Sequence, residues 1–191
     1  DISVSFENSS FDYFTYSVSE AEYIPLQVKE AETTVCILSK ENNIKLDISK
    51  KTGAIVFLNN DQIEYMLYDV KRSHTGWVFS KVKTNASVFF NGFGEKTGSL
   101  FKQRDRLIMW NTDESKMNSS SDPLYQSCPF AMMTKDGTSV GIFFDNPHYS
   151  VFKTNAGKKK SLLTYCAAGG VLKIFLCPGP TPHEVTEQFT S

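Results

Sequence analysis

Carboxylates are the most plentiful groups in this sequence with catalytic potential. Glu95, Asp105, Asp113, Glu114, Asp122 and Asp145 lie within one part of the chain. Two carboxyl groups flanking a sugar can cleave a glycosidic bond, one as acid and the other as nucleophile or base. Spacing does not say which two face each other, and an acidic residue in a turn ordinarily braces the loop. Histidine offers less. His74, His148 and His183 are far apart, and none has a Cys, His or Asp at metal-ligand spacing. His148 follows the Asn146-Pro147 turn, and His183 falls in the first turn of a predicted helix. No Gly-x-Ser-x-Gly elbow seats a nucleophile. Residues 92–98, GFGEKTG, look like a phosphate loop but lack the Gly-Lys-Ser/Thr ending, and Thr97 stands where the dinucleotide fingerprint needs its third glycine. Gly92 and Gly94 are expected to allow close backbone approach or a bend at the end of a strand. Cys36, Cys128, Cys166 and Cys177 fit no zinc pattern and lie in or beside apolar strands. They read as buried free thiols, which leans toward a reducing compartment and a cytoplasmic location. No metal or cofactor is expected.

The elements that must position these groups are mostly strands. The chain of 191 residues is 40% hydrophobic, enough for a core. Its formal charge of −1 argues against nucleic acid or an anionic membrane as the main partner. No apolar run is long enough to span a bilayer. Lys158-Lys159-Lys160 reads as a solvated loop tip. Ile44, Leu46 and Ile48 alternate with Lys45, Asp47 and Ser49, the mark of a strand wet on one face. A Lys-Lys-Thr-Gly turn then returns the chain through 54–58 as a hairpin. Further strands are predicted at 33–39, 65–70, 78–82, 87–90, 140–144, 150–152, 162–167 and 171–177. About ten short strands with turn signals predict an all-β sandwich. Near the end, Thr181, Pro182 and Glu184 spell a capping box with proline at the first helical position. That helix is just under way at Ser191, and the chain opens on Asp1 instead of Met, so a fragment of a longer polypeptide is expected. Asn8, Asn85 and Asn118 each head an Asn-x-Ser triplet, a pattern that chance supplies readily in Ser-rich sequence.

Residues 109–127, MWNTDESKMNSSSDPLYQS, break the strand pattern. Their apolar residues match neither a helix face nor a strand face. The blocks around them are specific: Gly92-Phe93-Gly94-Glu95, then Trp110-Asn111-Thr112-Asp113, then Asp122 to Phe130 as DPLYQSCPF, then Gly141 to Asn146 as GIFFDN. Gly169-Gly170-Val171-Leu172 and Gly179 to Val185 as GPTPHEV close the set. In order and spacing these blocks resemble the N-terminal β-sandwich of glycoside hydrolase family 31, the α-glucosidase and α-xylosidase family. Residues 1–88 fit the same domain by pattern only. Cys128 stands where the family usually has Ile or Leu.

The resemblance implies a galactose-mutarotase-like β-sandwich (supersandwich) over 1–180. Residues 181–191 would start a linker helix toward a (β/α)8 catalytic barrel of the same polypeptide. In the family both catalytic acids are barrel aspartates, and Trp110 to Glu114 is the sandwich's own motif, not the nucleophile segment. No catalytic residue is therefore expected in 1–191. The loop carrying Asp113 is expected to reach over the barrel's mouth and bind an α-linked glycoside or oligosaccharide, with Thr112, Asn111 and Trp110 beside it. A carboxylate suits that task because it accepts charge-assisted hydrogen bonds from sugar hydroxyls. Glu95 with Arg104 or Arg106 is expected to support the loop through ion pairs. The particular sugar, hydrolase against lyase chemistry, and a homo-oligomeric state of the parent are left open. The alternative is a standalone carbohydrate-binding or mutarotase-like domain.

Overall fold

The structure, a computed structural model, describes residues 2–4, 26–39, 44–59 and 63–191; the Asn8 triplet lies outside them. In chain order the strands are β1 (Ile2–Val4), β2 (Leu26–Glu30), β3 (Thr34–Ser39), β4 (Ile44–Ser49), β5 (Ile55–Asn59), β6 (Ile63–Arg72), β7 (Val78–Thr84), β8 (Phe89–Gly94), β9 (Arg106–Met109), β10 (Ser127–Lys135), β11 (Thr138–Phe144), β12 (Ser150–Ala156), β13 (Ser161–Ala167) and β14 (Leu172–Cys177). One helix, α1 (Pro182–Thr190), follows. The strands form two antiparallel sheets. One has the order β1-β14-β11-β10-β8 and the other β2-β3-β4-β5-β6-β7-β13-β12-β9.

The inner faces interdigitate through alternating side chains. Phe93, Phe144, Phe152 and Tyr165 form a ring cluster between the sheets, with Phe144 stacked on Tyr165 at 4.3 Å. Such aromatic pairs contribute beyond the area they bury. A second, smaller cluster lies outside the five-stranded sheet. Phe130, Met132, Phe143 and Cys177 point outward there and are capped by Val185 and Phe189 of α1, with Phe130 and Phe189 stacked at 4.2 Å. The helix starts as its sequence predicts: Thr181 accepts from the Glu184 amide, and Glu184 caps the Thr181 amide in return. It can dock closely because position 141 is glycine. A Cβ there would sit 2.7 Å from both the Phe130 ring and Val185 Cγ1.

Strand β10 escaped the pattern reading for the same reason. Ala131 and Met133 face the central core while Phe130 and Met132 face α1. A strand covered on both sides shows no alternation. Short β9 and the exposed edge strand β2 were also passed over. The four cysteines are free as expected, but Cys177 alone is fully buried; Cys36, Cys128 and Cys166 are half-buried. Lys158 to Lys160 form an exposed turn.

Candidate functional site at the β9–β10 arm

Residues 110–126 form an arm that leaves β9, at the edge of the nine-stranded sheet, and returns as β10 in the other sheet. Its root is fastened by the end of β8 and the segment after it. Gly92, Phe93 and Gly94 all have positive φ, at 99°, 69° and 73°. A Cβ on Gly92 would come within 2.7 Å of the Phe130 carbonyl oxygen, and one on Gly94 within 2.6 Å of the Cys128 nitrogen. Close backbone approach, with a register shift between Ser127 and Ala131, is thus what the GFG motif provides. Phe93, fully buried, anchors the irregular segment on Phe152.

The chain beyond Gly94 then grips the arm. The Glu95 amide donates to the Gln126 carbonyl, and the Glu95 carboxylate accepts from the Gln126 amide at 3.3 Å. Lys96 Nζ donates to the Ile108 carbonyl at 2.6 Å and to Asp122 Oδ1 at 2.7 Å. Asp122 Oδ2 accepts from the Ile108 amide at 2.7 Å. Thr97 donates to the Ser121 carbonyl. The anticipated ion pairs of Glu95 with Arg104 or Arg106 are not formed among the described residues. Arg106 is exposed on β9 in register with Lys153 of β12, and Arg104 is exposed beside a shallow groove that Lys153 shares. Glu95 directly follows β8, a strand of the opposite sheet. Lys96 and Asp122 carry the ion pair instead.

Within the arm, the Thr112 amide donates to the Leu124 carbonyl, and Leu124 is buried. Asn111 Oδ1 accepts from the Ser127 amide at 2.8 Å, and Ser127 Oγ accepts from the Trp110 amide. Asn111 and Thr112 are therefore struts of the root. Further out, bonds within the arm shape it: the Asn118 side chain accepts from the Ser120 amide, and the Tyr125 hydroxyl donates to the Glu114 carbonyl at 3.0 Å. Asp113 is exposed. The Asp113 carboxylate beside the Tyr125 hydroxyl raises the tyrosine pKa. Trp110 is 51% exposed, with its ring 6.1 Å from Tyr149.

A hollow of about 300 Å³ opens at the arm's root, bordered by Trp110, Asn111, Ser127, Pro129, Asn146 and His148. Among the described residues His148 is the one titratable residue lining it. In the sequence His148 reads only as a residue after the Asn146-Pro147 turn. Its neighbours across the hollow come from the distant arm, and no local pattern announces them. Among the described residues no group of three or more His, Cys, Asp or Glu is arranged to hold a metal. No described helix is long and apolar enough to cross a membrane.

Two sheets, a docked helix and an arm bridging the sheets define a galactose-mutarotase-like β-sandwich. A family model described as the glycosyl hydrolase 31 N-terminal galactose mutarotase-like domain matches residues 2–152, and the chain belongs to that family. It is 33% identical over 180 residues to alpha-glucosidase 2 of Bacillus thermoamyloliquefaciens, covering 91% of this chain and 22% of that protein. Over 99 residues it is 29% identical to an alpha-glucosidase of Saccharolobus solfataricus, covering 52% of this chain and 14% of that one. Among solved structures, the GH31 dextranase FjDex31A of Flavobacterium johnsoniae, complexed with glucose, aligns with a TM-score of 0.73 and 24% identity over 86% of this chain and 20% of its own. Glucosidase II alpha subunit aligns with a TM-score of 0.75 and 17% identity over 84% and 23%. These two likenesses speak for the fold. The chain spans about a fifth of the length of the first of these relatives.

Proposed function

We propose that this domain is the non-catalytic N-terminal sandwich of a retaining α-glucosidase-like glycoside hydrolase. Residues 1–180 form the sandwich, and 181–191 begin the connection to a (β/α)8 catalytic barrel in the same polypeptide. The arm presents Asp113 to an α-linked glycoside held by that barrel. There the exposed carboxylate accepts hydrogen bonds from sugar hydroxyls, a geometry that charge strengthens. Trp110 stands beside it as an apolar wall, and Asn111 and Thr112 hold the approach. The bond-breaking carboxylates belong to the barrel, one attacking the anomeric carbon and the other protonating the leaving oxygen.

The observation that carries this reading is the construction of the arm. A buried Lys96–Asp122 pair and a set of backbone bonds fix its root, while Asp113 stays exposed. A long ordered loop with an exposed carboxylate is more often functional than accidental. A mutarotase-like activity would need an acid–base pair facing one pocket. The hollow offers His148 with no carboxylate among its lining residues, so nothing favours that alternative. The test is turnover. The 191-residue chain alone should leave an aryl α-glucoside intact, while the polypeptide that includes the barrel hydrolyses it. Hydrolysis by the chain alone would overturn the assignment.

A further inference from the structure

The hollow at the arm's root is built with more care than packing requires. Asn146 is buried, and its Nδ2 donates twice, to the Gly169 carbonyl at 2.9 Å and the Val171 carbonyl at 3.0 Å. The amide orientation is thereby set, and Oδ1 must face His148. It accepts from the His148 amide at 2.9 Å and lies 3.1 Å from Nδ1. Two acceptors cannot share that contact, so Nδ1 carries the proton, and in the neutral ring Nε2 is left as an acceptor. The imidazole also rests on the Gly169-Gly170 pair. A Cβ on Gly169 would lie 2.9 Å from His148 Cδ2, and one on Gly170 2.9 Å from Nδ1. Side chains at either glycine would displace the ring.

Across the hollow, Trp110 packs against Tyr149, which in turn touches Trp77 at 6.4 Å, so the half-exposed indole has a backing. Asn111 spends its carbonyl on Ser127, which leaves its amide hydrogens without a partner among the described residues. Ser127 Oγ accepts from Trp110 and keeps its own proton free to donate. One apolar wall, two donors and one oriented acceptor, with no carboxylate or permanent cation, make an uncharged amphipathic surface. The volume is at the lower end of the about 300–1,000 Å³ common for small-molecule sites. It has room for one sugar ring. A pyranose matches this surface, with an apolar C–H face and hydroxyls around its edge.

We infer that the hollow between Trp110 and His148 is a binding site for one neutral pyranose unit of an α-glucan, next to the unit that Asp113 contacts and sharing the Trp110 wall with it, with Asp113 itself outside the lining. The inference rests on the reading above for the class of sugar and for the neighbouring unit. Asn146, Gly169 and Gly170 are positioning residues, and Trp110, Asn111, Ser127 and His148 are the contacts. The site operates without catalysis, holding a ring of the same chain of sugars at the base of the arm.

The experiment uses the 191-residue chain and maltotriose as probe, followed by tryptophan fluorescence and by backbone and indole NMR shifts. Saturable millimolar binding is expected, with shift changes gathered at Trp110, Asn111, Ser127 and His148. Trp110→Ala should weaken it by about tenfold or more, since stacking on an aromatic face is the largest apolar contact available. His148→Ala should weaken it several-fold, and His148→Gln, which keeps an acceptor, should restore part of the loss. Far-UV circular dichroism checks that each variant is folded. Absence of saturation, shift changes confined to the outer arm, or binding indifferent to both substitutions would overturn the inference. The role of Asp113 is read separately from turnover by the barrel-containing polypeptide, so either claim can fail without the other.

Discussion

Replacing Lys96 by Met removes one ammonium group and little else, since methionine can fill the channel of the lysine stem. Lys96 has a side chain only 2% exposed, and its partner Asp122 is 18% exposed. The substitution breaks the bonds to Asp122 Oδ1 and to the Ile108 carbonyl. Hydrogen bonds to charged groups contribute about 1.5–3 kcal/mol each. Removing one member of a buried pair costs about 3–5 kcal/mol, because the remaining charge is left uncompensated. Asp122 keeps the Ile108 amide and some solvent, which places Lys96→Met near the lower end, at about 3 kcal/mol. At roughly 2–4 °C per kcal/mol for a domain of this size, Tm should fall by about 6–12 °C. Urea unfolding followed by circular dichroism measures the loss. Amide exchange at Ile108 and Thr112 should rise more than in the distant β3–β4 hairpin. Lys71→Met, which breaks the exposed Lys71–Asp69 pair, is the control and should hardly move the transition. If Lys96→Met and the control unfold together with the wild type, the buried pair does not hold the root of the arm.

Burial pushes the Cys177 thiol up to about 11 and also raises Cys128. At pH 8 both should stay protonated and resist iodoacetamide in the folded protein, and mass spectrometry should find them labelled only in denaturant. The Glu184 carboxyl is held low, first by the Thr181 hydroxyl and then by the Thr181 amide. A depressed pKa of this kind stabilises the fold above the ordinary glutamate range, and the contribution disappears as pH falls through the lowered value. Thr181→Ala removes the N-cap, a loss that ordinarily costs about 1 kcal/mol, and with it the partner of Glu184, so the acid limb of the stability profile should flatten, both read from urea midpoints taken across pH.

What could be read in advance divides by the range of the interaction. The capping box at Thr181 and Glu184 is local, and so is the alternation of Ile44 to Ser49; both are visible in a few residues. The sandwich itself follows from many such strands. Strand β10 was hidden because Phe130 to Met133 are apolar on both faces, one for the core and one for α1. Period-two reasoning needs a wet face to detect. The arm was recognised by its polar composition and by its family blocks, with Asp113 at an exposed position. Its supports were legible only in part: Glu95 does hold the arm, through Gln126 and not through an arginine, and Lys96 gave no sign. Glu95, Lys96, Arg104 and Arg106 are all charged and all close to the arm in sequence, yet strand geometry alone decides which of them faces it. Lys96 comes inward beside Ile108, while Arg106 shares the outer surface with Lys153. His148 was passed over because its orientation depends on Asn146 and on glycines some twenty residues onward.

The role of the arm is tested most directly by kcat/KM for an aryl α-glucoside with Asp113→Ala in the polypeptide that carries both this sandwich and its barrel. Two charge-assisted bonds to sugar hydroxyls at about 1.5 kcal/mol or more each correspond to a loss of roughly a hundredfold. The stability of the domain should be untouched, because Asp113 is exposed and supports no element of the root. A hundredfold fall with an unchanged Tm is the result expected of a sugar-holding carboxylate. Kinetics identical to the wild type would mean that Asp113 touches no substrate.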